Sequence, residues 1–196
     1  MPPNILIIQG HPDESASHFC HALADSYREG AESAGHSVSE VRIGTLDFPL
    51  LRNETEWSRG EAPEALLPAQ ELIRAADHLV FVYPVWLGTM PALMKGFLEQ
   101  TFRPGFAFDE AARQGSGGVR PLKGKSARVI VSMGMPGPVY RWFYRAHGYR
   151  YFKRNILHFL GIRPVRHCFV GLAGSAKDTG RRRWLERVRQ LGARAR

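Results

Sequence analysis

The chain has 196 residues, 44% of them apolar, and no apolar run near the roughly 20 residues of a membrane span, so it reads as one globular domain. Cys20 and Cys168 make no disulfide framework, and "MPPNILIIQG" lacks the basic region of a secretion signal; a cytoplasmic protein is expected. Residues 1–119 hold 8 Lys+Arg and 16 Asp+Glu, whereas 120–196 hold 19 and 2. The basic final third suits phosphates, an acidic partner or an anionic membrane, or is a solvated face packed near the acidic half.

In chain order, "NILIIQ" (4–9) is a short apolar run rich in β-branched residues, the mark of a buried strand. Phe19, Leu23, Ala24, Tyr27 and Ala31 fall at helical spacing within 18–34, and Gly35 follows as a C-cap. "HSVSEVRI" (36–43) predicts a second strand, and 45–62 is polar and irregular. Pro63 opens a helix that runs to about Ala76. "HLVFVY" (78–83) is the third strand and 91–102 a helix. Residues 103–126 form a Gly-rich excursion with "GSGG" at 115–118. "ARVIVS" (127–132) is the fourth strand. Residues 138–160 read as a helix interrupted at Gly148. "VRHCFV" (165–170) is the fifth strand, and 177–192 an amphipathic helix with Trp184, Leu185, Val188 and Leu191 inward.

Short hydrophobic strands alternating with helices predict an α/β fold, a parallel sheet covered on both faces. Right-handed crossovers and this length point to one flavodoxin-like, doubly wound, five-stranded domain over 1–196, order 2-1-3-4-5. Ligands in such sheets sit at the carboxyl ends of the strands, at the switch between strands 1 and 3. Three loops meet there: "GHPDESASHFC", "PVWLGTM" and "MGMPGPVY".

The first loop enters a helix, whose N-terminal N–H groups suit a phosphate. Ser17 is a phosphate donor or a plain N-cap, and His11 an imidazole donor or a turn residue. The loop has neither G-x-G-x-x-G nor a Walker lysine. The second loop offers backbone donors at Trp86, Leu87 and Gly88 and an aromatic face, which an isoalloxazine needs; core packing is the other reading of Trp86. The third has Ser132 at the strand tip, glycines that let backbone approach a ring, and then Tyr140, Arg141, Arg145 and His147. These last can bind a substrate carbonyl or cofactor phosphates, or can form a face used in dimer packing. His167 and Cys168 read as core, and the histidines form no ligand motif, so no metal is expected.

The sequence resembles the flavodoxin-like NAD(P)H:quinone reductases, the family of DT-diaphorase and of the ancillary quinone reductases of bacterial potassium-efflux systems. "GHPDESASHF" is similar to the family's His-Pro phosphate loop. "YPVWLGTMPALMKGFLEQTFRPGFAF" is similar to its flavin loop and following helix. "GKSARVIVSMGMPGPVY" falls where the family has Thr-Thr-Gly-Gly. The similarity covers residues 4–170, and the second segment is the specific one. By position it implies that His11, Ser17, His18, Phe19 and Cys20 hold the flavin phosphate. Pro84, Val85, Trp86, Leu87 and Gly88 would hold the isoalloxazine, with Ser132, Met133, Gly134 and Met135 along its other edge. Tyr140 lies eight residues after Ser132, where the family's active-site tyrosine lies, and His147 is one residue from its active-site histidine. The departures are Ser-Met-Gly-Met-Pro for Thr-Thr-Gly-Gly, and Cys20 for a common asparagine.

The resemblance implies a flavin-dependent NAD(P)H oxidoreductase, with FMN or FAD as cofactor. Hydride would pass through flavin N5 to a quinone or similar acceptor in ping-pong fashion, in a homodimer packed through the aromatic 138–152 segment. The alternative is a regulatory protein that docks on a membrane transporter or acidic partner. Nucleic-acid binding through 181–196 is not expected, because the Trp184, Leu185 and Val188 stripe marks a packed helix.

Overall fold

The continuous apolar runs pair as parallel strands, because strands covered on both faces need no polar alternation. In the computed structural model, which describes residues 2–15, 18–109, 111, 114, 115, 118–174 and 178–195, the sheet holds β1 (Asn4–Gln9), β2 (Ser37–Arg42), β3 (His78–Pro84), β4 (Ser126–Ser132) and β5 (Val165–Val170). Their order is 2-1-3-4-5 and every pairing is parallel. This is the expected topology.

Helices α1 (Phe19–Ser33) and α6 (Asp178–Ala193) cover one face. The other face is covered by α2 (Glu54–Arg59), α3 (Leu67–Ala75), α4 (Ala92–Thr101), α5 (His147–Tyr151) and the segments around them. Among the described residues no helix is long and apolar enough to cross a membrane.

Three departures from the sequence reading have physical causes. The polar stretch 45–62 contains α2, a six-residue helix too short for periodicity to reveal; Asn53 caps it by accepting the Glu56 N–H at 2.9 Å. Between Pro63 and Ala76 the chain first makes a 3₁₀ turn (Glu64–Leu66), and α3 proper starts at Leu67. The break in 138–160 is not at Gly148 but at Arg145 and Ala146, both left-handed (φ 51° and 49°). The flanking stretches Val139–Phe143 and Phe152–Leu157 are wound as wide π-helical turns, with bonds such as Tyr144 N–H to Val139 O at 3.1 Å. Gly148 lies inside α5 for space: a Cβ there would come within 2.3 Å of Gly88 O.

Helices α1 and α6 touch backbone to backbone. A Cβ on Gly30 would lie 1.8 Å from Arg189 O, and one on Gly192 would lie 2.0 Å from Tyr27 O. An alanine in an exposed helix interior stabilises by about 1 kcal/mol over glycine. Here the sign should reverse. Gly30→Ala is expected to destabilise the fold by about 1–3 kcal/mol through overpacking, lowering the Tm by roughly 2–4 °C per kcal/mol in thermal unfolding. An unchanged or raised Tm would show that the two helices move apart freely.

Candidate functional site

All chain exits from β1, β3, β4 and β5 leave the same edge of the sheet, and the loops there enclose one hollow of about 350 Å³. His11, His18, Phe19, Cys20, Pro84, Val85, Trp86, Ser132, Met133 and Gly134 line it. Leu87, Gly88 and Met135 are not in its lining. Ser17 lies outside the described residues. Two further lining residues, Ala173 and Gly174, come from the loop after β5, which carries no motif and could have been found only from its place at the same sheet edge.

The first loop is tied down from both ends. Gly10 N–H donates to Val82 O at 2.7 Å, and the buried Gln9 side chain accepts the His11 N–H at 2.8 Å. His11 is buried, and its Nδ1 lies 3.0 Å from Asp13 O and 3.1 Å from Asp13 N, so one tautomer donates and the other accepts. Its ring stacks on His18 at 3.9 Å, with His21 edge-on at 5.6 Å and Trp86 edge-on at 5.8 Å. Burial pulls the His11 imidazole below its ordinary range. The Asp13 carboxyl is held down at about 2, first by the Ser15 N–H and then by His18 Nε2 at 2.7 Å.

Helix α1 then begins at Phe19, so its first-turn N–H groups open toward this loop. Arg181 of α6 sits 4.8 Å over the Phe19 ring and brings a cation to the same helix end. The basic excess of the final third was the only signal for it. Gln9 Nε2 and His21 Nε2 are buried without partners among the described residues.

The second loop is a tight turn. Trp86 and Thr89 exchange backbone bonds of 2.9 and 3.2 Å, with Leu87 and Gly88 both at positive φ (47° and 87°), the pattern of a type I′ turn. The Trp86 N–H is therefore spent on Thr89 and is no ligand donor, whereas Leu87 stands fully exposed at the tip. The Trp86 ring is 48% exposed, so it is a wall of the hollow rather than core.

The third loop continues the ladder beyond the strands. Val85 N–H donates to Ser132 O at 2.8 Å, Met133 N–H to Val170 O at 2.9 Å, Ala173 N–H to Met133 O at 2.9 Å and Leu172 N–H to Met135 O at 3.1 Å. Behind the hollow, Cys20 Sγ and Ser132 Oγ lie 3.0 Å apart, both buried. Burial pushes the Cys20 thiol up to about 11, so it is a neutral, unreactive group at neutral pH.

Tyr140 and His147 do not line the hollow. Tyr140 is buried, its ring is edge-on to Phe169, and its hydroxyl accepts the Tyr149 N–H at 3.1 Å. His147 is exposed, one residue before Gly148, which packs on the 86–89 turn. Among the described residues no group of His, Cys, Asp or Glu is arranged to hold a metal ion.

The residues present suit a flavin. His11, His18 and the start of α1, with Arg181 over Phe19, meet at one end, and a tryptophan face stands at the side.

Comparison with known proteins bears on the family and the fold. A protein of Haemophilus influenzae named an uncharacterized NAD(P)H oxidoreductase is 29% identical over 143 residues, 71% of this chain and 69% of its own. A Macrococcus caseolyticus protein named FMN-dependent NADH:quinone oxidoreductase is 27% identical over 187 residues, 85% of each. The crystal structure of Smu.1420 from Streptococcus mutans superposes with a TM-score of 0.79 at 26% identity, covering 97% of this chain and 99% of its own. The chain spans only 55–57% of the Penicillium, rat and human relatives that it also matches. The family model described as "Flavodoxin-like fold" matches residues 3–191, and the chain belongs to that family.

Proposed function

We propose that this chain is a flavin-dependent NAD(P)H oxidoreductase with a quinone-like acceptor, and that its flavin is FMN. The observation that carries the reading is the hollow at the carboxyl edge of the sheet, lined together by the imidazoles at the start of α1, an exposed tryptophan, Ser132 and Gly134. The Macrococcus relative, matched along 85% of its length, bears a name with that cofactor and that reaction.

A flavin bound there supplies two-electron chemistry between NAD(P)H and the acceptor. His11, His18 and Arg181 answer the phosphate, Trp86 backs the ring, and Cys20 with Ser132 forms the floor. Met133 and Gly134 border the remaining edge. One hollow for both substrates implies ping-pong kinetics.

We assign Tyr140, which lies outside the lining of the hollow, the role of a proton-bearing donor. Its oxygen accepts from Tyr149, which leaves its own O–H free, and burial raises its ionisation above the ordinary phenol range, so it keeps that proton at neutral pH. His147 stands exposed one residue before Gly148, which contacts the 86–89 turn.

The exposed Trp142, Phe143, Tyr144 and Tyr151 form an aromatic face, which we assign to a homodimer interface. A second reading, docking on an anionic membrane, a transporter or an acidic partner, is favoured by Arg150, Lys153, Arg154, His158 and Arg163, which line one shallow depression beside that face.

The purified protein should show the absorption bands of oxidised flavin, alone or after FMN is added, and NADPH or NADH should bleach them anaerobically. Trp86→Ala should weaken FMN binding by about tenfold, and no flavin binding at excess FMN would end the oxidoreductase reading.

Tyr140→Phe is expected to slow acceptor reduction by about 100-fold at unchanged flavin content; a lower Tm with unchanged kcat would mark the hydroxyl as purely structural. Sedimentation should report a dimer that Trp142→Glu with Phe143→Glu dissociates. A monomer that pellets with anionic vesicles at low salt would replace the dimer with the docking reading.

A further inference from the structure

The opposite edge of the sheet holds a charge arrangement that flavin chemistry does not use. Successive side chains of a strand alternate between faces. Val80, Ile130, Cys168 and Val170 pack into the α1–α6 layer, so His78, Ser126, Arg128 and Arg166 share that face. His78 pairs in register with Ser126, and Arg128 with Arg166. Two arginines thus stand directly opposite each other on neighbouring strands, Arg128 buried and Arg166 exposed, a like-charge pairing that is destabilising.

Arg128 is 5% exposed and makes no ion pair with a carboxylate among the described residues. Its Nε has no hydrogen-bond partner. The groups around it are the Tyr27 phenol, the Cys168 thiol and Arg166. Asp77, next in sequence to His78, gives its carboxylate to the Asn4 N–H at 2.9 Å instead.

Beside this pair is a cavity of about 190 Å³ lined by His78, Ser126, Ala127, Pro164, Arg166 and Ala195. His78 is 1% exposed. Its Nδ1 lies 2.7 Å from Ser126 Oγ, and its Nε2 has no partner. Burial, then Arg128 and Arg166, hold its imidazole down at about 4, so it is neutral at physiological pH. In the tautomer in which the Ser126 hydroxyl donates to Nδ1, Nε2 carries the proton and is a donor. The walls therefore offer the Arg166 guanidinium and an imidazole N–H, with Arg128 in register beside Arg166 and no carboxylate among the described lining residues. Such a set is complementary to an oxyanion, and a buried cation demands a counter-charge.

We propose that the amino-terminal edge of the sheet is a second ligand site, for inorganic phosphate or a similar tetrahedral oxyanion, held by Arg166 and by His78, whose ring Ser126 orients, and offsetting the charge of the buried Arg128. It lies roughly 20 Å from the flavin hollow, the length of β4, and does not depend on the flavin reading.

The test is thermal unfolding of the FMN-saturated protein in phosphate, sulfate and chloride at one ionic strength. Saturation keeps free phosphate from reporting on the flavin hollow, and the protein without added FMN serves the same test if no flavin binds. Phosphate should raise the Tm more than chloride does. Arg166→Gln, at the cavity rim, should lose most of that rise, and Arg128→Met all of it. In chloride, Arg128→Met should melt no lower than the parent, because an unpaired buried cation has been replaced by an apolar chain. Should Arg128→Met fail to fold, Arg166→Gln with bromide-soaked crystals decides: an anomalous peak beside His78 and Arg166 supports the site. An equal phosphate effect in parent and Arg166→Gln, or an equal rise in chloride, would overturn it.

Discussion

The constraint on which the rest depends is that β1 pairs with β2 and β3, β3 with β4, and β4 with β5, all in parallel. Parallel pairing sends every chain exit to one edge and every entry to the other. The loops after Gln9, Pro84, Ser132 and Val170 therefore have no choice but to meet, and they are welded by ladder bonds that outlast the strands, from Val85 to Ser132 and from Ala173 to Met133. The same rule gathers His78, Ser126, Arg128 and Arg166 toward the entry edge. One edge thus collects backbone donors and an aromatic wall, the other collects a buried arginine, an exposed one and a buried neutral histidine, and the apolar length of the strands separates them.

The helices turn that geometry into a site of fixed shape. The start of α1 bears Phe19 and Cys20 on the hollow, and its far half is held against α6 at Gly30 and Gly192. Because the backbones are in contact there, α1 has little freedom to slide. Arg181, at the other end of α6, is brought onto Phe19 by the same packing. The position of a cation at the hollow is thus set by two glycines far along the chain.

The strands were legible because "ILII", "LVFVY" and "RVIVS" are continuous apolar runs, which only burial on both faces explains. The line of α6 was legible too: Val188 is buried, and Trp184, Leu185 and Leu191 pack against the same core. What failed were features that leave no periodic trace. Helix α2 has six residues, and the left-handed pair Arg145–Ala146 uses residues with no preference for that conformation. Gly148 misled because a glycine can mark a bend or a close approach, and the sequence does not say which; here it is the approach of Gly88. The hollow was legible through the fold rule and the resemblance. Its hydrogen bonding was not, since nothing in "VWLGTM" tells that the Trp86 N–H is closed onto Thr89.

The third loop shows how packing and chemistry trade places. Where the resembled family has Thr-Thr-Gly-Gly, this chain has Ser132, Met133, Gly134 and Met135. Met133 is buried in the core under α4 and the 139–157 segment, and Met135 packs against the same cluster. A hydroxyl and a glycine have been exchanged for apolar anchors. The loop loses a polar contact to the hollow and gains fixation, reinforced by the bonds of Met133 and Met135 to the strand-5 exit. Ser132 keeps its hydroxyl, but against Cys20 Sγ rather than toward open space. This edge of the hollow is therefore backbone held still, with open space beside Gly134. A rigid edge of this kind selects by shape, and it makes the position of Met133 in the core a determinant of what the hollow can hold.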